Sequence, residues 1–280
     1  MSTKKPFNDA SDGSKKPPNK NRFFMAAKYN EVGVLKEYLE AYDDAVTWRS
    51  GSQSALSIAT KEGHFMAVQL LLNMGAPAEE KHAKPCAQPL HLAAKINRPD
   101  IAGLLLHKRA SVDTPGENGV TPLLEAVYWG SVKVMAPLLR FGASKEKMNA
   151  DGQMALHLAA EREYPEAVSL LIEHGADMNA RNRGGLTPLM VAAENGGLET
   201  ARLLLSRGAD QHLQSTIGKT ALDMALAHGD DDPEFVAGFQ KLIDARNKQD
   251  SLTMGVPFLE GVERNLRVQK PLRLKRRRKP

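Results

Sequence analysis

Cysteine is almost absent from this sequence: Cys86 is the only one in 280 residues. A single thiol excludes an intramolecular disulfide and any zinc site built from several cysteines, and it suits a reducing compartment. Aromatic residues make up only 5% of the chain. That scarcity argues against a sheet core filled with rings and for helices joined through small and aliphatic side chains. No stretch approaches the ~18 to 20 apolar residues of a membrane-spanning helix. Residues 1–22, rich in Lys, Pro, Asn and Ser, contain no apolar core of a secretory leader. These absences imply a chain without a membrane span, placed in the cytoplasm, with the nucleus or a host cytosol reached by secretion as alternatives. With 42% hydrophobic residues, the chain can still support a buried core.

Catalytic and metal-binding patterns are missing as well. The histidines are His64, His82, His91, His107, His157, His174, His212 and His228, scattered without the i, i+4 spacing of a helical metal pair. Cys86 stands in a turn-rich segment with no nucleophilic motif around it. No GxxxxGK[ST] phosphate loop occurs. No cofactor, no metal and no enzymatic activity are expected.

What the sequence has in abundance is a repeat. The heptapeptides NRFFMAA (21–27), SALSIAT (54–60), QPLHLAA (88–94), TPLLEAV (121–127), MALHLAA (154–160), TPLMVAA (187–193) and TALDMAL (220–226) recur at intervals of 33 or 34 residues. Thr121-Pro122 and Thr187-Pro188 read as helix starts, because the hydroxyl accepts from an orphan N–H while Pro fills the first helical position. Small pairs such as Ala93-Ala94 and Ala159-Ala160 let a short first helix approach its neighbours. A second helix carries Leu clusters, including Leu104 to Leu106 and Leu138-Leu139. Gly75, Gly142, Gly175 and Gly208 end it, since glycine tolerates the left-handed conformation there. About ten polar, turn-rich residues follow, with Gly119, Gly152, Gly185 and Gly218 two places before the next helix start.

This unit closely resembles the ankyrin repeat in its 33-residue period, TPLHLAA-like start, Leu cluster and Gly-Ala-Asp ending (Gly175 to Asp177, Gly208 to Asp210). The resemblance covers roughly residues 21–247 and implies an all-α solenoid of helix-turn-helix units with projecting β-hairpin loops. Seven units are expected over residues 21–248, the first and last as caps, because no single helix pair buries its own apolar face. In the first unit Tyr42 stands where Gly is expected, and the last has extra residues around Asp230 to Pro233 before a polar helix ending near Lys248. Residues 1–20 read as a disordered polar arm, and residues 249–280 as a linker and tail. His91 and His157 hold the fourth motif position, where the family uses the imidazole to fasten a hairpin to a helix.

The resemblance further implies a scaffold that grips a protein partner on a concave face, built from hairpin tips and the exposed side of each first helix. The positions of this sequence that match are Lys61-Glu62, Lys95-Ile96, Tyr128-Trp129, Glu161-Arg162, Glu194-Asn195 and Ala227-His228 on first helices, and on hairpins they include Lys84, Glu117, Asn118, Val120, Asp151, Gln153, Arg183, Leu186 and Lys219. Tyr128 and Trp129 stand out, because an aromatic anchor ringed by polar residues is the composition of a binding hot spot. The competing assignment places one or both rings in ordinary core. Other departures gather nearby. Glu125 occupies a place mostly held by aliphatic side chains, Pro137 lies inside a second helix, and Arg109 replaces a helix-ending glycine. Sacrificed local rules mark a functional site or tolerated drift.

Charge is unevenly spread. Residues 264–280 carry nine cations, among them Arg273, Lys275, Arg276, Arg277, Arg278 and Lys279, and no acid, while residues 23–263 sum to −8 against +5 overall. Three uses of the basic tail stay open beside a plain aid to solubility: a nuclear-import signal, a contact with RNA or DNA phosphates, or docking on an acidic partner or on the acidic repeat body itself. The leading functional reading is a binding adaptor, monomeric on its own, whose tail adds a second contact. An RNA- or ribosome-associated structural protein and a secreted bacterial effector that captures a host protein are the alternatives.

Overall fold

A computed structural model describes residues 19–79, 88–227 and 232–253 of the chain. Helices alternate through it in consecutive pairs: α1 (Lys20–Lys28) and α2 (Val32–Ala41), α3 (Ala55–Lys61) and α4 (Phe65–Asn73), α5 (Pro89–Lys95) and α6 (Pro99–His107), α7 (Pro122–Tyr128) and α8 (Val132–Arg140), α9 (Ala155–Glu161) and α10 (Pro165–Glu173), α11 (Pro188–Glu194) and α12 (Leu198–Arg207), α13 (Ala221–Ala227) and α14 (Pro233–Thr253). Each odd-numbered helix packs on the odd-numbered helices before and after it, and the even-numbered helices do the same. The result is two parallel layers of helices, an all-α solenoid in which a unit touches only its neighbours.

Local chemistry explains the helix starts. Ser54, Thr121 and Thr187 accept from the backbone N–H three residues on, and Pro89, Pro122 and Pro188 occupy the first helical position. Thr220 and Asp223 cap α13 reciprocally: the hydroxyl faces the Asp223 N–H at 3.3 Å, and the Thr220 N–H donates to the carboxylate at 2.9 Å. Between the layers lies a spine of fully buried leucines, Leu71, Leu105, Leu138, Leu171 and Leu204, one per unit, against alanine pairs such as Ala93-Ala94 and Ala192-Ala193. Rings gather at the ends of the stack, where no further unit supplies cover. Phe23 meets Trp48 edge-on at 5.4 Å beside Tyr38 and Tyr42, and Phe235 lies 5.8 Å from Phe239.

Adjacent units are also stitched through polar atoms. In three successive units the residue just before the second helix reaches back one unit: His64 Nε2 pairs with the Lys28 carbonyl at 2.9 Å, Arg98 donates to the Gly63 carbonyl, and Ser131 donates to the Lys95 carbonyl at 3.3 Å. The next such residue, Tyr164, lays its ring against Gly130, where an added Cβ would sit 3.3 Å away. The first six of these first-to-second turns each pass through one left-handed residue, at Asn30, Gly63, Asn97, Gly130, Glu163 and Gly196. Arg109 does sit in the left-handed region, with φ 66°, at the place held elsewhere by the helix-ending glycines. Pro137 is buried within α8 without breaking it.

Two expectations need adjustment. Among the described residues the only strand ladder is Arg49–Ser50 against Gln53–Ser54; the loops before α7, α9, α11 and α13 close as tight turns with single crossings, such as Gly116 N–H to the Val120 carbonyl at 2.7 Å. Their arms are too short to repeat the bond. The last helix runs to Thr253, beyond the end expected near Lys248. Arg246 anchors this final stretch by donating to the Leu205 carbonyl at 3.2 Å.

Candidate functional site

The C-terminal ends of the first helices and the adjoining turns present most of the sequence-chosen residues. Trp129, the residue after α7, is 48% exposed, and Tyr128, its last residue, is 46% exposed. Neither ring is core. They meet edge-on with centroids 5.5 Å apart, the arrangement that aligns ring edge with ring face. Lys95, from the end of α5, places its ammonium 4.2 Å from the Trp129 ring centre, and Arg162, just beyond α9, sets its guanidinium 4.3 Å from the centre of Tyr128. Two cations from the flanking units therefore bracket two rings of the middle one, each contact worth about 0.5–1 kcal/mol at an exposed place.

Glu125 is explained by the same cluster. Its carboxylate accepts from the Trp129 indole N–H at 2.8 Å, one helical turn on, which fixes the ring orientation. An aliphatic side chain there would leave the indole donor to water. The line of polar contacts continues into the next units: Gln153 donates to Glu161 at 3.1 Å, and Asn182 donates to Gln153 at 3.2 Å. Gln153, one of the hairpin positions that the repeat marks, is the connector between these units.

The remaining sequence-chosen residues lie apart. Arg183 donates to the Ala150 carbonyl at 2.6 Å, and its backbone N–H to the Gly152 carbonyl at 3.1 Å, so it ties neighbouring turns together. Asn195 donates to Val191 of its own helix at 2.9 Å. Asp151 and Glu194 are exposed. Arg273, Lys275, Arg276, Arg277, Arg278 and Lys279 fall outside the described residues, as do Cys86, His82 and His228.

His91 and His157 lie beneath this face, 1% and 0% exposed. His91 Nε2 is 3.0 Å from the Val120 carbonyl, and His157 Nε2 is 2.9 Å from the Leu186 carbonyl and 3.1 Å from that of Ala180. A carbonyl only accepts, so Nε2 carries the proton. Burial pushes both imidazoles below the ordinary value of 6.5, against the opposite pull of their carbonyl partners and, for His91, of the Glu125 charge. They fasten each turn to the first helix before it. Among the described residues no group of three or more His, Cys, Asp or Glu side chains could hold a metal ion. None of the described helices is long and apolar enough to cross a membrane.

Comparison with known proteins accounts for this architecture. A family model described as ankyrin repeats, three copies, matches in overlapping windows at residues 23–115, 56–149, 90–182 and 123–215. The chain belongs to the ankyrin-repeat family. Its similar relatives include the ankyrin repeat and KH domain-containing protein mask-1 of Caenorhabditis elegans, 34% identical over 126 residues, which are 45% of this chain and 5% of that protein. The human SH3 and multiple ankyrin repeat domains protein 2 is 33% identical over 107 residues, 38% of this chain and 6% of that protein. The human ankyrin repeat and SOCS box protein 11 is 34% identical over 119 residues, 42% of this chain and 36% of that protein. The chain spans well under two thirds of each of these relatives. The ankyrin repeat is a protein–protein interaction module, and this chain is built from it.

Proposed function

We propose that this ankyrin-repeat protein is an adaptor that holds a protein partner on its first-helix face, the concave side of a seven-unit stack over residues 21–248. Tyr128 and Trp129 form the central anchor. The observation that carries the reading is the half-exposure of both rings while Lys95, Glu125 and Arg162 hold them in place. Rings fixed before binding lose little side-chain entropy on docking, and that is the property of a hot spot. The contacts of Glu161, Arg183 and Asn195 within the chain stiffen the surface, whereas Asp151 and Glu194 are exposed and free to meet a partner's rim.

The basic tail supplies a second contact, tethered to the first, which raises overall avidity when both engage together. Affinity capture with the full chain, a Trp129→Ala chain and a chain ending at residue 263, each with and without nuclease, tests both parts. Loss of a protein partner with Trp129→Ala, insensitive to nuclease, is the expected result. Capture that depends on the tail and on intact nucleic acid, and not on Trp129, overturns the reading in favour of phosphate binding. In that event log affinity falls with log salt by roughly 0.7 to 0.9 per phosphate contacted.

A further inference from the structure

The last residues of successive first helices form a row with a polarity. Lys28, Lys61 and Lys95 close α1, α3 and α5, Tyr128 closes α7, and Glu161 and Glu194 close α9 and α11. All are exposed except Glu161, which is half-buried. Because these helices pack side by side in order, the row passes from cations through the aromatic pair to anions. Opposing charges occur one position later, at Glu62 and Arg162; Arg162 is drawn over the Tyr128 ring, as Lys95 is over Trp129, so the exposed Lys61 and Glu194 carry the polarity on either side of the aromatic pair. The periodicity that builds the fold demands no charge order along this row, since each of these side chains points away from the buried core.

Resting on the first-helix face as the binding surface, we infer that its partner is a peptide segment of matching polarity. Carboxylates face Lys61 and Lys95, an apolar side chain lies on Tyr128 and Trp129, and cations face Glu161 and Glu194. A nucleic acid does not fit this row, because a uniform polyanion attracted to the lysine half meets repulsion at the glutamates. The pitch selects the conformation of the peptide. Packed helices lie about 8–10 Å apart. A polyproline II segment returns to the same face every third residue, a rise of about 9.3 Å, which matches. A β-strand does so about every 6.6 Å and an α-helix about every 5.4 Å, once per turn, and neither matches.

The probe is a labelled peptide of about 13 residues, Asp-x-x-Asp-x-x-Leu-x-x-Arg-x-x-Arg with Pro and Ser between, so that its charges recur at the polyproline II repeat. Anisotropy is read at low salt against the full chain and two variants, Lys61→Glu and Glu194→Lys. Both variants replace exposed side chains, and melting curves are expected to stay unchanged. Each reversal should weaken binding about three- to five-fold, since an attraction becomes a repulsion at an exposed site. An all-acidic peptide should lose affinity with Lys61→Glu and gain it with Glu194→Lys, and an all-basic peptide should do the opposite.

The polarity is overturned if Glu194→Lys leaves the mixed peptide's affinity unchanged or tightens it, or if the mixed peptide does not bind. Binding through the basic tail would leave both reversals silent and would overturn it too. If a peptide with charges at two-residue spacing binds as tightly, the pitch argument falls. Weakening by Trp129→Ala with silent charge reversals would retain the face as the binding surface and reject only its polarity.

Discussion

Acidification from pH 7.5 to pH 5.5 should destabilise the repeat stack through His91 and His157. Both imidazoles are buried and held below their ordinary value of 6.5. Their Nδ1 atoms are buried with no hydrogen-bond partner among the described residues. A proton added there would be a charged donor without an acceptor. The folded state therefore binds fewer protons than the unfolded chain in the window below 6.5. Stability is complete above that value and is lost as pH falls from it toward the folded-state values. At pH 5.5, one unit below the unfolded value, the two histidines together withdraw at most about 3 kcal/mol. Asp100 and Asp223 are held low by Arg98 and by Thr220, respectively, and act only below 3.8, so the windows do not overlap. Urea midpoints at pH 7.5, 6.5 and 5.5 read the effect. The double substitution His91→Gln and His157→Gln should flatten the profile over this range while lowering stability at pH 7.5. A wild-type midpoint that holds constant to pH 5.5, or an equal decline in the double variant, would refute the reasoning.

The left-handed turns supply further predictions. Arg109→Gly and Glu163→Gly, at φ 66° and 55°, should each raise stability by about 1 kcal/mol, because glycine removes a steric penalty of roughly 1–2 kcal/mol and returns part of it as unfolded-state entropy. Urea midpoints read this, and a fall in either would contradict it. Gly152→Ala should destabilise by more than 1 kcal/mol, since its φ is 77° and the new Cβ would meet Arg183 Cβ at 2.2 Å; an unchanged melting temperature would be the contrary result. Leu171→Ala, a wholly buried member of the leucine spine, should cost about 2–5 kcal/mol by thermal melting, with a loss below 1 kcal/mol as the contrary outcome.

Much of the fold could be read from the residues because a repeat unit is written locally. The Thr-Pro starts, alanine pairs and glycine stops each state one backbone requirement, and stacking copies the answer along the chain. The inter-unit stitches were not legible. His64, Arg98, Ser131 and Tyr164 hold equivalent places with unlike chemistry, so no pattern survives in the letters. The left-handed turn was half visible: Gly63, Gly130 and Gly196 mark it, Asn30 and Asn97 are residues that tolerate it, and Glu163 conceals it. At the candidate site, the adjacency of Tyr128 and Trp129 was plain. Their bracketing by Lys95 and Arg162 required side-chain directions across three units, which spacing alone does not supply. The Glu125 bond to Trp129 was within reach, since four residues on a helix bring two side chains to one face.

The central claim is that the first-helix face, with Trp129 at its centre, is where a partner sits. Oxidative footprinting of the chain alone and with its captured partner tests this most directly. The account predicts protection of Tyr128 and Trp129, both about half exposed in the free chain, with little change at Met66 and Phe141, which are comparably exposed on the second-helix side. Protection of Met66 and Phe141 with Tyr128 and Trp129 still reactive would contradict it.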